Sequence, residues 1–173
     1  LDFIHTKNVM VVHGDAEQSL DELLRQSKKS PSSDWKKAVP GLEYWEDGVW
    51  KKNPAPPSPK NLEDYPQPDY RDSKKDPYAK EMLSALPLSL GRGCPFRCRF
   101  CAVRNYGPSF RHYSIRSCVD FIRLEEAKGR KYFFVHDPIT NGNPGWLRDF
   151  CRALIKSRVK IFWGGNIRLA KYL

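Results

Sequence analysis

The stretch "NVMVV" is an apolar, β-branched run from Val9 to Val12. Gly14-Asp15 then marks a turn, and Leu20, Leu23 and Leu24 share one face of a helical segment. Ser19 and Glu22 have capping-box spacing and mark the helix start. Strand, turn and helix in this order form the half-unit of an α/β domain, and the upstream "LDFIHTK" reads as the end of a preceding helix. "SPSSDWKKAVPG" is a polar loop. In "GLEYWEDGVWKKN" two aromatic-rich runs flank Asp47-Gly48, a strong hairpin signal. Six prolines between Asn53 and Pro68 predict an extended connector with no part in a core.

From Leu86 the pattern changes. "LPLSL" is a short buried strand. "SIRSCVDFIRLEEAKG" is a helix capped by Ser114 and ended by Gly129, with Ile115, Cys118, Val119 and Ile122 inward. "KYFFVHD" is a second strand. Asn143 and Pro144 open another helix, in which Trp146/Leu147, Phe150/Cys151 and Leu154/Ile155 recur on one face, and "VKIFWGGN" is a third strand. This alternation predicts an α/β fold with a parallel sheet and right-handed crossovers. At ~31 residues per strand-helix unit, about three units fit, too few to close a barrel. Functional loops in such folds follow the C-terminal ends of strands. The loop after "LPLSL", then "HDPITNGN" and "WGGN", are therefore expected on one rim. Gly164 and Gly165 would admit a ligand close to the backbone or simply end the strand.

With 173 residues, the chain suits one ordinary domain, or a small domain plus a piece of another. It opens on Leu1 and ends on "NIRLAKYL", the start of an amphipathic element, so a segment of a longer protein is expected. Hydrophobic residues at 40%, with 13% aromatics, can build a packed core. The net charge of +10 suits an anionic partner such as nucleic acid, or a segment whose acidic remainder lies elsewhere. The basic residues are scattered rather than blocked, which favours the second reading. An odd five cysteines, three of them in one loop, make a poor disulfide framework and point to a reducing compartment. No apolar run approaches the ~20 residues of a membrane span and no signal peptide opens the chain, so a soluble cytoplasmic protein is expected.

The chemistry concentrates in "SLGRGCPFRCRFCAVRNYG", where Cys94, Cys98 and Cys101 are separated by three and then two residues. Three thiolates so spaced suit a [4Fe–4S] cube, with one iron left open to a substrate. Zinc is the main alternative; it would need a fourth ligand, and neither His112 nor His136 stands at a knuckle spacing. Unrelated clustering of thiols is the third reading. Cys118 and Cys151 sit on inward helix faces and read as small buried hydrophobes. His5, His13, His112 and His136 have no partner spacing that suggests catalysis. Arg92, Arg97, Arg99, Arg104 and Arg111 surround the loop, either as a solvated face or as a counter to an anionic group.

"CPFRCRFC" resembles the C-x3-C-x2-C loop of the radical S-adenosylmethionine (SAM) superfamily, including the aromatic before the last cysteine. "RHYSIRSCVDFI" and "KYFFVHDPIT" look like the opening of that family's barrel in its cobalamin (B12)-dependent branch. "VMVVHGDAEQSLDELL" is similar to the branch's strand-turn-helix, although "HGDAEQ" stands where Gly-Glu-Gly-Glu is usual. "PGLEYWEDGVWKKN" and "NLEDYPQPDY" look like its hairpin and Pro-rich linker. The resemblance implies three parts: the C-terminal end of a Rossmann-like cobalamin-binding domain over 1–31, a hairpin and linker over 32–82, and the first part of a partial TIM barrel over 83–173. It implies that Cys94, Cys98 and Cys101 ligate a [4Fe–4S] cluster whose fourth iron chelates SAM. Phe100 would lie near the SAM adenine, or its ring packs into the core beside the loop; Asp137 would lie near the SAM amino group, or is a turn residue before Pro138. The implied activity is reductive SAM cleavage to a 5′-deoxyadenosyl radical in a cobalamin-dependent methyltransferase. Its implied partners are a small-molecule or peptide substrate and an external electron donor of flavodoxin or ferredoxin type. A tRNA-modifying, methylthiotransferase-like enzyme is the alternative that the charge favours; a non-catalytic zinc or iron–sulfur module is the third.

Overall fold

The computed structural model describes residues 9–29, 33–65, 67–70, 85–105 and 110–169. The chain divides into two compact units, Leu1–Pro59 and Lys60–Leu173. The expected helix end in "LDFIHTK", with His5, lies outside the described residues.

In the first unit, strand β1 (Val11–Val12) pairs antiparallel with β2 (Leu42–Glu46), and β2 with β3 (Val49–Lys52). Asp47 and Gly48 both take positive φ, 53° and 81°, as a primed two-residue hairpin turn demands, and Trp45 packs edge-on against its cross-strand partner Trp50. The apolar β1 run thus joins the hairpin's sheet. Helix α1 (Ala16–Lys29) begins three residues before the expected Ser19 cap. Ser19 is instead fully buried within its first turns, inside a helix that has already begun. The expected polar loop contains a 3-10 turn over Ser33–Ala38, whose Trp35 packs with Val12 and Leu23 against buried Val39, Leu42 and Tyr44.

In the second unit, β4 (Leu86–Leu88), β7 (Tyr132–Val135) and β8 (Phe162–Gly165) form the expected parallel sheet in the order β4-β7-β8. A second, two-stranded sheet pairs β5 (Gly91–Arg92) with β6 (Arg111–His112), which the hydrophobic pattern does not announce. Helix α2 (Ile115–Ala127) has Ser114 as its cap, the hydroxyl accepting from the Ser117 N–H at 3.1 Å. Helix α3 (Pro144–Ser157) has Asn143 as its cap and Pro144 in its first turn. Leu86, Leu88, Phe133 and Val135 of the sheet and Cys118, Ile122, Phe150 and Leu154 of the helices form one core.

Two expectations need correcting here. The connector does enter a core: a 3-10 turn over Leu62–Asp64 buries Leu62 to 1% exposure, and the Glu63 carboxylate accepts from the Ser114 N–H at the start of α2. Proline removes donors from a strand but does not stop its neighbours from docking. Ile155 is exposed rather than inward, because the buried stripe of α3 runs through Phe150 and Leu154.

Candidate cluster-binding loop

The cysteine loop springs from the C-terminal end of β4. Ser89 and Leu90 lead into β5, Gly93 turns with φ +82°, and Cys94, Cys98 and Cys101 follow. All three cysteines are free and half-buried, and the Cys101 N–H donates to the Cys98 carbonyl at 3.1 Å in a tight turn. The β5–β6 ladder closes the loop's base, extended by Tyr113 N–H to the Leu90 carbonyl. Gly91 must lack a side chain, since a Cβ there would strike the Arg111 carbonyl across the ladder.

Aromatic rings hold the returning strand. His112 lies between Phe110, edge-on at 4.5 Å, and Trp146 of α3, stacked at 4.4 Å; Trp146 stacks on Phe150, which meets Trp163 of β8 edge-on. Burial lowers the His112 pKa below its ordinary 6.5, so the imidazole is neutral at neutral pH. Phe110 also covers Gly142, where a Cβ would come within 2.6 Å of its ring.

The three loops after β4, β7 and β8 do meet on one rim. Asn141 pairs through its amide with both backbone groups of Arg168, at 2.9 Å each way. The Arg168 guanidinium lies 4.2 Å from the centre of the Phe96 ring, between Cys94 and Cys98 in sequence. The Thr140 N–H donates to the Asn166 carbonyl at 2.7 Å, and the Asn166 amide donates to the Asp137 carbonyl at 3.2 Å. Gly165 lies within β8, and a Cβ there would strike the buried Thr140 hydroxyl and Val135; its bareness serves strand packing. Gly164 has only the Phe134 ring near its Cβ direction, at 3.9 Å.

Asp137 is buried, with one oxygen accepting from Ser89 Oγ at 3.0 Å and the other from the Leu90 N–H at 3.1 Å. The Gly91 N–H also supports the charged form, but burial dominates and pushes the carboxyl up to about 6. Phe100 is 93% exposed, which excludes core packing for its ring. Arg97 and Arg99 are exposed, and Arg92 lies over the Tyr65 ring. His136 is exposed, and His13 pairs with Glu43 at 2.5 Å in the first unit. Cys118 is buried with its thiol pushed up to about 12, and Cys151 is half-buried. Ser89, Phe96, Asn141, Asn166 and Arg168 are the rim residues that sequence reasoning missed. Single polar side chains with distant partners leave no periodic trace.

Among the described residues, no group of three or more His, Cys, Asp or Glu converges closely enough to hold one metal ion. Ligands of a cube need not converge on a point, because each binds a different iron. The donor set therefore fits a cluster: three free thiols, partly open to solvent, on a loop fixed at both ends.

No family model matches the chain. It is 29% identical over 115 residues to an uncharacterised methyltransferase of Pyrococcus horikoshii, covering 66% of this chain and 24% of that one. It is 25% identical over 166 residues to the anaerobic magnesium-protoporphyrin IX monomethyl ester cyclase of Cereibacter sphaeroides, covering 92% and 27%. It is 30% identical over 107 residues to the bacteriochlorophyllide d C-12(1)-methyltransferase of Chlorobaculum tepidum, covering 59% and 23%. The chain thus spans between 23% and 27% of the length of these relatives. Its fold matches the radical SAM methyltransferase TsrM of Kitasatospora setae, solved with tryptophan and a SAM analogue, at TM-score 0.66 and 18% identity over 86% of this chain and 29% of that one. A second TsrM structure, with cobalamin and a [4Fe–4S] cluster bound, matches at TM-score 0.63 and 16% identity over 86% and 30%. Relatives and fold agree in direction: in sequence the chain is similar to two methyltransferases and an anaerobic cyclase, and it shares the fold of the corresponding part of the radical SAM methyltransferase TsrM.

Proposed function

We propose that the chain is the cluster-binding part of a cobalamin-dependent radical SAM methyltransferase. The observation that carries this reading is the placement of Cys94, Cys98 and Cys101 on one anchored loop at the C-terminal edge of a parallel sheet. The three thiolates would ligate three irons of a [4Fe–4S] cluster, leaving the fourth for SAM. When bound, these groups would supply an electron to cleave one SAM to methionine and a 5′-deoxyadenosyl radical, and a methyl group on cobalamin drawn from a second SAM, which leaves S-adenosylhomocysteine.

The chain's own share is positioning. Phe100 offers an exposed ring to the SAM adenine. An ionised carboxylate has about four acceptor sites. Ser89 and Leu90 occupy two on Asp137, leaving capacity for the SAM amino group. Residues 1–31 form the end of the cobalamin-binding part, 32–82 the hairpin and linker, and 83–173 the opening of the barrel. A flavodoxin- or ferredoxin-type donor supplies the electron in the cytoplasm, and the methyl acceptor is a small molecule or peptide.

The test is turnover by the full-length protein, kept anaerobic and reduced, with SAM labelled in its methyl group. Methionine and 5′-deoxyadenosine should accumulate, and alanine at Cys94, Cys98 or Cys101 should abolish both. A reduced, cluster-loaded protein that leaves SAM intact refutes the proposal.

A further inference from the structure

We infer that Asp137 is a positioning residue for the cysteine loop, its carboxylate fixing Ser89 and Leu90, the root from which the loop springs. The inference deepens the cluster reading and rests on it. The carboxylate stands at the end of β7, yet its oxygens reach the neighbouring strand's exit: Ser89 Oγ at 3.0 Å and the Leu90 N–H at 3.1 Å. The Gly91 N–H also favours the carboxylate's charged form. The Gly91 carbonyl, 3.2 Å from Ser89 Oγ, is an alternative acceptor for the same hydroxyl proton within this turn. Beyond this root only Arg92 and Gly93 precede Cys94, and Gly91 is locked against Arg111. A shift at the root therefore has little slack in which to die away before it reaches the first thiolate.

Behind the carboxylate the rim is continuous. The Asp137 carbonyl accepts from Asn166, and the Asn166 carbonyl accepts from Thr140. One residue thus couples the exits of all three parallel strands. A charge in a nearly closed site is costly to keep. A carboxylate required only for packing could give way to an apolar group of similar size. A carboxylate that must accept through both oxygens at a functional loop could not.

The test uses full-length protein purified anaerobically as wild type, Asp137→Asn and Ser89→Ala. The readouts are iron and sulfide content, the electron paramagnetic resonance spectrum with and without SAM, and amide hydrogen exchange of the cluster-free protein. Both variants should exchange residues 90–101 about tenfold faster or more, as expected for losing a hydrogen bond to a charged group. Exchange at Cys118–Ile122 of α2 should stay unchanged. Both variants should hold less iron, and what they hold should show altered g values and a weaker response to SAM. Wild-type spectra and loop exchange in both variants overturn the inference, as does acceleration spread evenly through α2 and β7, which marks plain destabilisation. If Asp137→Asn does not fold, Ser89→Ala decides alone. A wild-type protein without a cluster overturns the underlying reading and the inference with it; a normal wild-type cluster with unaltered variants overturns the inference alone.

Discussion

Asp137 also makes a prediction about acid stability. Its carboxyl is 7% exposed, and burial moves its pKa from an ordinary 3.8 to about 6 against the pull of Ser89, Leu90, Gly91 and Arg92. A carboxyl with a raised folded pKa takes up its proton more readily in the folded than in the unfolded chain. Its charge therefore costs stability above pH 6, and the cost fades as the pH falls toward 4. That difference in pKa corresponds to roughly 3 kcal/mol. Two other groups act in the opposite sense. His112, lowered by burial, and Glu63, lowered mainly by the Ser114 N–H, each withdraw stability as the pH falls. The wild-type curve alone does not isolate Asp137, but its difference from Asp137→Asn does. Urea unfolding of the cluster-free protein at several pH values between about 7 and 4 measures it. Wild type should gain up to about 3 kcal/mol on the variant as the solution is acidified. A flat difference, or one that falls with acid, would refute the reasoning.

Two further outcomes follow from the packing. Gly142→Ala drives a methyl into the Phe110 ring, 2.6 Å away, and should cost about 1–3 kcal/mol in denaturant unfolding, with a changed near-ultraviolet aromatic signal. Leu62→Ala should cost about 2–5 kcal/mol, because the connector's leucine is 1% exposed in the second core; a change within about 0.5 kcal/mol would show that the connector does not dock there.

The strands, helices and rim of the second unit were legible because each is written in short-range patterns. Ser114 and Asn143 announce their helices, and Phe133 and Val135 alternate with exposed neighbours along β7. The three cysteines stand out in the sequence because their spacing is itself the signal. The β5–β6 pairing was not legible, since two strands of two residues each carry no period, and neither was the buried Glu125. That side chain is balanced by Lys128 at 2.5 Å and Arg130 at 3.2 Å, a compensation visible only once the helix end has turned. Ser19 misled because capping-box spacing also occurs inside a helix that has already begun. Asp137 was placed correctly at a strand end, but its partners lie nearly fifty positions away in sequence, beyond any local rule.

The central claim is that Cys94, Cys98 and Cys101 hold a cluster with one iron open to SAM. Electron paramagnetic resonance of the reduced full-length protein, recorded with and without SAM, tests it most directly. The expected result is a [4Fe–4S] signal whose g values move when SAM is added and which disappears when the three cysteines are replaced by alanine. A colourless protein carrying one zinc, or a cluster signal indifferent to SAM, would contradict it.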